Sequence, residues 1–146
     1  MAFPEEQPES ASELMRAIDD QLSHIWMVRA FLKHSEEATD DQELASVHRD
    51  LYDFMLALGP SLEAGDAHRY LKLASKKFGR LRRAVELFHE IQPEVSGHTN
   101  FVMANHSLRI ALRQIGLILN RLPETERNSS EKSLDTTEIE DEEVTE

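Results

Sequence analysis

The sequence predicts an all-α protein: an up-down-up-down antiparallel four-helix bundle with a disordered acidic C-terminal tail. Three observations lead there. Apolar residues recur at steps of three and four along most of the chain, and no stretch alternates strictly as a half-buried strand would. Proline and glycine fall at 59–60, 65, 93, 97 and 123 and divide the chain into four periodic stretches. The breaks between them are short, which favours antiparallel neighbours. At 146 residues the chain fits a single domain. Its expected organisation is a flexible acidic segment at 1–9, a bundle at 10–123 and the tail at 124–146.

The helices are expected at about 11–37, 40–58, 66–92 and 99–121. Ser10 with Glu13 opens the first as a capping box, and Asp40 with Glu43 opens the second. Asp66 is placed to cap the third. Pro93 and Pro123 are expected to follow the ends of the third and fourth, because proline stops propagation. The inward seams read Leu14, Ile18, Leu22, Ile25 and Leu32; then Leu44, Val47, Leu51, Phe54 and Leu58. They continue with Leu71, Ala74, Phe78, Leu81, Val85 and Phe88; then Phe101, Leu108, Leu112, Ile115 and Leu122. Each set keeps to one helix face.

Charge is unevenly distributed. Acidic residues number 28 and basic ones 16, a formal net charge of −12. The tail at 124–146 carries −8 and residues 1–9 carry −3, so 10–123 is close to neutral. The tail has no aromatic residue and only scattered Leu134, Ile139 and Val144, too little apolar surface to offset the entropy of ordering. It reads as a solubilising segment, with an interaction or autoinhibitory tail as the sharper alternative. Cysteine is absent, which excludes disulfides, thiolate metal sites and cysteine nucleophiles. No segment approaches the ~20 apolar residues that span a bilayer. Met1 to Pro8 lacks a basic cluster and an apolar run, so no secretory signal is expected. A cytoplasmic location and no membrane contact follow as expectations. The five glycines are isolated and build no phosphate-cradling loop.

The faces opposite the seams carry the functional reading. On the first helix the outward row is His24, Met27, Phe31 and His34. On the fourth it is Met103, His106, Ile110, Arg113 and Leu117. These two helices are neighbours in the expected topology, so they would form one apolar patch with histidines in it. Monomers seldom expose a large patch of that kind. The expected function is therefore protein association, with the chain itself or another protein as partner, and a homodimer through these faces as the favoured form.

The third helix presents Arg69, Lys72, Lys76, Arg80 and Arg83 outward, with no acid from Ala67 to Val85. Such a row could contact phosphate backbones or another anionic partner. The acidic chain and the lack of an aromatic on that row to stack a base argue against nucleic acid. Ion pairs with neighbouring helices, or the acidic tail folded back as a salt-sensitive latch, fit better. One residue sits awkwardly: Arg29 falls in the first seam between Ile25 and Leu32. Tyr52, Tyr70, His48, His89, Glu36 and Asn105 are expected to point inward or nearly so, making a buried polar site with Arg29, Tyr52 and His89. A structural network that specifies one packing is the favoured reading, and a small anionic ligand held by Arg29 between the helices is the alternative. Trp26 borders the same seam and reads as a core anchor.

Catalytic and metal patterns are weak. Glu86-Leu87-Phe88-His89 is a single Glu-x-x-His match where a carboxylate-bridged metal bundle needs two. His89-Glu90 begins a zinc-protease motif, but Pro93 stands in place of its second histidine. His24, His34 and His106 could meet at an interface, yet no metal or cofactor is expected. Arg29 to His34 and Arg83 to His89 match the Arg-to-His spacing of HEPN-type ribonucleases without the usual asparagine, at the frequency chance gives.

The fourth helix carries one more specific pattern. His106-Ser107-Leu108-Arg109, with Ala111 and then Ile115-Gly116, resembles part of the His-x-Leu-Lys-Gly signature of histidine-phosphotransfer domains. The resemblance implies a helical bundle with a phosphorylated imidazole on His106 and Arg109 steadying the phosphoryl oxygens. The chain departs from it at Ile110, where the family has glycine, and in lacking further bundle helices after the histidine.

Overall fold

The computed structural model describes residues 10–123. The expectations placed on 1–9 and 124–146 lie outside these residues. The described chain is helical: α1 (Ala11–Lys33), α2 (Glu37–Asp40), α3 (Gln42–Ala64), α4 (Ala67–Val95) and α5 (Thr99–Leu119). The four long helices correspond to the four expected from the sequence. The single turn α2 was not expected.

Local chemistry sets most boundaries. Ser10 Oγ accepts the Glu13 N–H at 3.1 Å and opens α1. The first helix ends four residues earlier than expected. There Ser35 donates its hydroxyl to the Leu32 carbonyl at 2.7 Å and accepts the Ala38 N–H at 3.3 Å, closing α1 and starting α2. A serine bonded to nearby backbone competes with helix continuation. The cap of α3 is Asp41, not Asp40: its Oδ1 accepts the Leu44 N–H at 3.0 Å. Asp66 caps α4 as expected, accepting the Arg69 N–H at 3.1 Å. His98 caps α5 through Nδ1, which accepts the Asn100 N–H at 3.0 Å.

Two prolines lie inside helices where helix ends were expected. Pro60 sits within α3 and Pro93 within the last turns of α4. Proline removes one i→i−4 hydrogen bond and crowds the carbonyl four residues back. Pro60 and Leu56 are both exposed, as are Pro93 and His89, so the disturbed ladder lies on the wet side of each helix. Continuing past Pro60 also buries Ser61. The actual stop of α3 is Gly65 at φ +69°, a left-handed residue that favours glycine. The Gly65 N–H bonds to Leu62 at 3.0 Å and the Asp66 N–H to Ser61 at 2.9 Å, satisfying the last carbonyls.

The seams form one core. Every seam residue expected from the sequence is buried, except Phe78 and Leu112, which are half-buried and packed against that core. Helix α1 packs on α3, α4 and α5, and α4 packs on α3 and α5. The Tyr70 hydroxyl, fully buried on α4, donates to Asp19 Oδ1 on α1 at 3.4 Å. Burial raises the Tyr70 pKa, and the neighbouring Asp19 charge and this hydrogen bond raise it further, so the phenol stays protonated. Gly116 lets α5 approach α4 closely: a Cβ there would stand 3.2 Å from Phe78 Cζ.

Candidate functional site

The α1/α5 surface is built on these packed helices. Met27 is 67% exposed, Met103 53%, Ile110 49% and Leu117 50%. His24, His34 and His106 are exposed as well. His24 Nδ1 lies 3.4 Å from Ser107 Oγ, tying the two helices together beside the apolar residues. Arg109 and Arg113 are exposed along α5, and α5 contains no acidic residue.

Phe31 departs from the expected outward row. It is half-buried, and its ring meets Phe101 edge-on, with centroids 4.9 Å apart and planes at 65°. The start of α5 covers it, so Phe31 belongs to the edge of the core and joins the two helices instead of offering a contact outward. His106, the residue of the phosphotransfer resemblance, is exposed with exposed Arg109 one turn on and exposed Ile110 next to it.

The basic row of α4 divides in two. Arg69 and Lys72 are exposed, while Lys76 and Arg80 are half-buried. Arg80 and exposed Arg83 line a cleft of about 430 Å³ with Arg49, Asp50, Asp53, Ala84 and Leu87. Burial raises the Asp50 pKa, Arg80 opposes that shift, and Asp53 adds to it. Opposite charges from α3 thus share this cleft with the inner end of the row. The sequence reading missed Asp50 and Asp53 as its counterpart. The signal was there: acids three apart on one helix, and arginines three apart on the next.

The polar site at the first seam is partly as expected. Arg29 is 7% exposed. Its Nη1 donates to His48 Nε2 at 3.4 Å, and its guanidinium carbon lies 4.2 Å from the Trp26 ring centroid and 5.1 Å from that of Tyr52. Arginine only donates, so the contact needs His48 neutral. Burial first, then Arg29 and Lys33, lower the His48 pKa in keeping with that. Glu36, expected inward, is exposed, while Tyr70 bonds to Asp19 and Asn105 to His89 and Gln92, away from Arg29. Three further residues stand differently from expectation. Trp26 is half-exposed, a cover over Arg29 and not a core anchor. Tyr52 is exposed at its edge, though it stays against Arg29.

His89 is the third, and it is not in this cluster at all. It is exposed on α4, where its Nδ1 accepts from Asn105 Nδ2 at 3.1 Å. Asn105 is buried and also donates to Gln92 Oε1 at 3.3 Å. A helical residue between two seam positions can face either neighbour. His89 faces α5, on a crevice of about 300 Å³ lined by Val85, Glu86, Arg109, Leu112 and Arg113.

Among the described residues no group of three or more His, Asp or Glu side chains is gathered as a metal site needs. None of these helices is long and apolar enough to cross a membrane. Comparison with known proteins yields no match to a family model, a curated protein or a solved structure.

Proposed function

We propose that the protein acts by association, as a homodimer formed through the outward faces of α1 and α5. The framework of this reading is an up-down-up-down antiparallel bundle of α1, α3, α4 and α5. The order of contacts supports it: His24 meets Ser107 while Phe31 meets Phe101, so the two numberings run in opposite directions. The same holds for α4 against α5, where Phe78 approaches Gly116 and His89 meets Asn105. The short turn at Gly65 and Asp66 fits antiparallel α3 and α4.

The observation that carries the association is the set of four large apolar side chains, each about half-exposed or more, on two helices packed side by side. A second copy is the partner that the charges favour. The outward row of α1 includes exposed Glu13 and Asp20, with Arg16 between them, while α5 offers Arg109 and Arg113 and no acid. A twofold contact laying α1 of one copy across α5 of the other brings these acids to those arginines twice. Full burial of a large apolar side chain is worth about 1.5–3 kcal/mol, so each of these, already about half-covered, contributes about 1 kcal/mol or somewhat more before the costs of association.

The chain's lack of cysteine permits a direct test. Leu117→Cys places a thiol inside the proposed contact, and Leu56→Cys places one on the exposed side of α3. The labelling rate of Leu117→Cys is expected to fall as protein concentration rises, while that of Leu56→Cys stays constant. Rates independent of concentration at both positions would refute the contact.

A further inference from the structure

We infer that Arg29 anchors a binding site for a phosphate-type dianion at the seam between α1 and α3. The argument begins with an imbalance of charge. A guanidinium this deeply buried is costly unless it is paired. No carboxylate among the described residues forms an ion pair with Arg29, and its buried Nε has no hydrogen-bond partner. Among the described residues its one polar contact is the ring of His48, at a long 3.4 Å. Lys33, one turn further along α1, adds a second positive charge near the same imidazole. Buried Arg29 and exposed Lys33, neither ion-paired with a carboxylate among the described residues, favour a doubly charged oxyanion over a singly charged one.

The aromatic rings define the approach. Trp26 and Tyr52 lie against the guanidinium and are themselves half-exposed, so the site is at the surface edge of the seam. Stacked rings cover guanidinium faces and leave the in-plane N–H groups as the donors, the geometry that phosphate oxygens accept. Neutral His48, accepting from Arg29 through Nε2, keeps its proton on Nδ1 and would supply a further donor.

Trp26 is the sole tryptophan, so its emission reports the site directly. The experiment titrates the full chain with inorganic phosphate, against sodium chloride at matched ionic strength. A saturable change in Trp26 emission is expected with phosphate only. His48→Gln and Lys33→Gln are expected to retain the helical circular dichroism and to bind phosphate roughly tenfold more weakly each. Arg29→Gln, if it folds, is expected to lose the response, and the other two variants carry the test if it does not. No response of the wild-type chain, an equal response to chloride, or phosphate affinity unchanged in His48→Gln and Lys33→Gln would each overturn the site.

Discussion

Phe88→Ala is expected to lower the unfolding free energy by about 3–5 kcal/mol. Phe88 is fully buried in the C-terminal third of α4, the helix that packs on α1, α3 and α5 together. Truncation there removes the transfer energy of the ring and leaves a space that three neighbouring helices cannot all close. The loss is large against the roughly 5–15 kcal/mol that stabilises a domain of this kind. Urea denaturation followed by circular dichroism measures it, with an unchanged slope against denaturant confirming an unaltered unfolding transition. Leu56→Ala on the exposed side of α3 serves as the contrast, with a change within about 0.5 kcal/mol. A Phe88→Ala loss below about 1 kcal/mol would mean that α4 does not bury this face.

The paired substitution Ile110→Glu with Leu117→Glu is expected to give a folded monomer. Both residues are about half-exposed on α5, so glutamate there meets water in the single chain and desolvation only in the dimer. Twofold symmetry counts each substitution twice, so dissociation should increase by roughly a thousandfold or more. Phe31→Glu is a different experiment. Its ring is packed against Phe101 and the core, so that change should destabilise the fold itself. Sizing and thermal unfolding of the two variants side by side separate the effects. A paired variant that unfolds would make Ile110 and Leu117 part of the core, and one that remains a dimer would move the contact elsewhere.

Periodicity made the core legible before any coordinates, because burial on a helix depends on spacing and the seams follow it closely. Ser10 and Asp66 were legible as caps for the same reason: a short polar side chain three residues before a free N–H is a local feature. Pro60 and Pro93 were misread because the rule that proline ends helices treats the residue alone. In the fold, the stretches before and after Pro60 bury Leu58 and Ser61, and Ile91 and Gln92 stand buried ahead of Pro93. That packing outweighs one lost hydrogen bond on the solvent side.

The functional faces were harder to read, for a related reason. A helical wheel gives the angle of Phe31 and Trp26 but not how far the neighbouring helix reaches. The start of α5 reaches over Phe31, while Trp26 is left about half-exposed. Arg29 stood out in the sequence as a charge on an apolar seam. That it has no carboxylate partner among the described residues depends on contacts between helices, and His89, expected beside it, turns out to serve Asn105 on α5.

The most direct test of the proposed association is the solution mass of the full chain, by light scattering on a sizing column at several concentrations. The expected result is twice the 16.7 kDa chain mass, with dissociation on dilution. A constant mass near 16.7 kDa at every concentration would contradict the homodimer and leave Met27, Met103, Ile110 and Leu117 without the partner assigned to them.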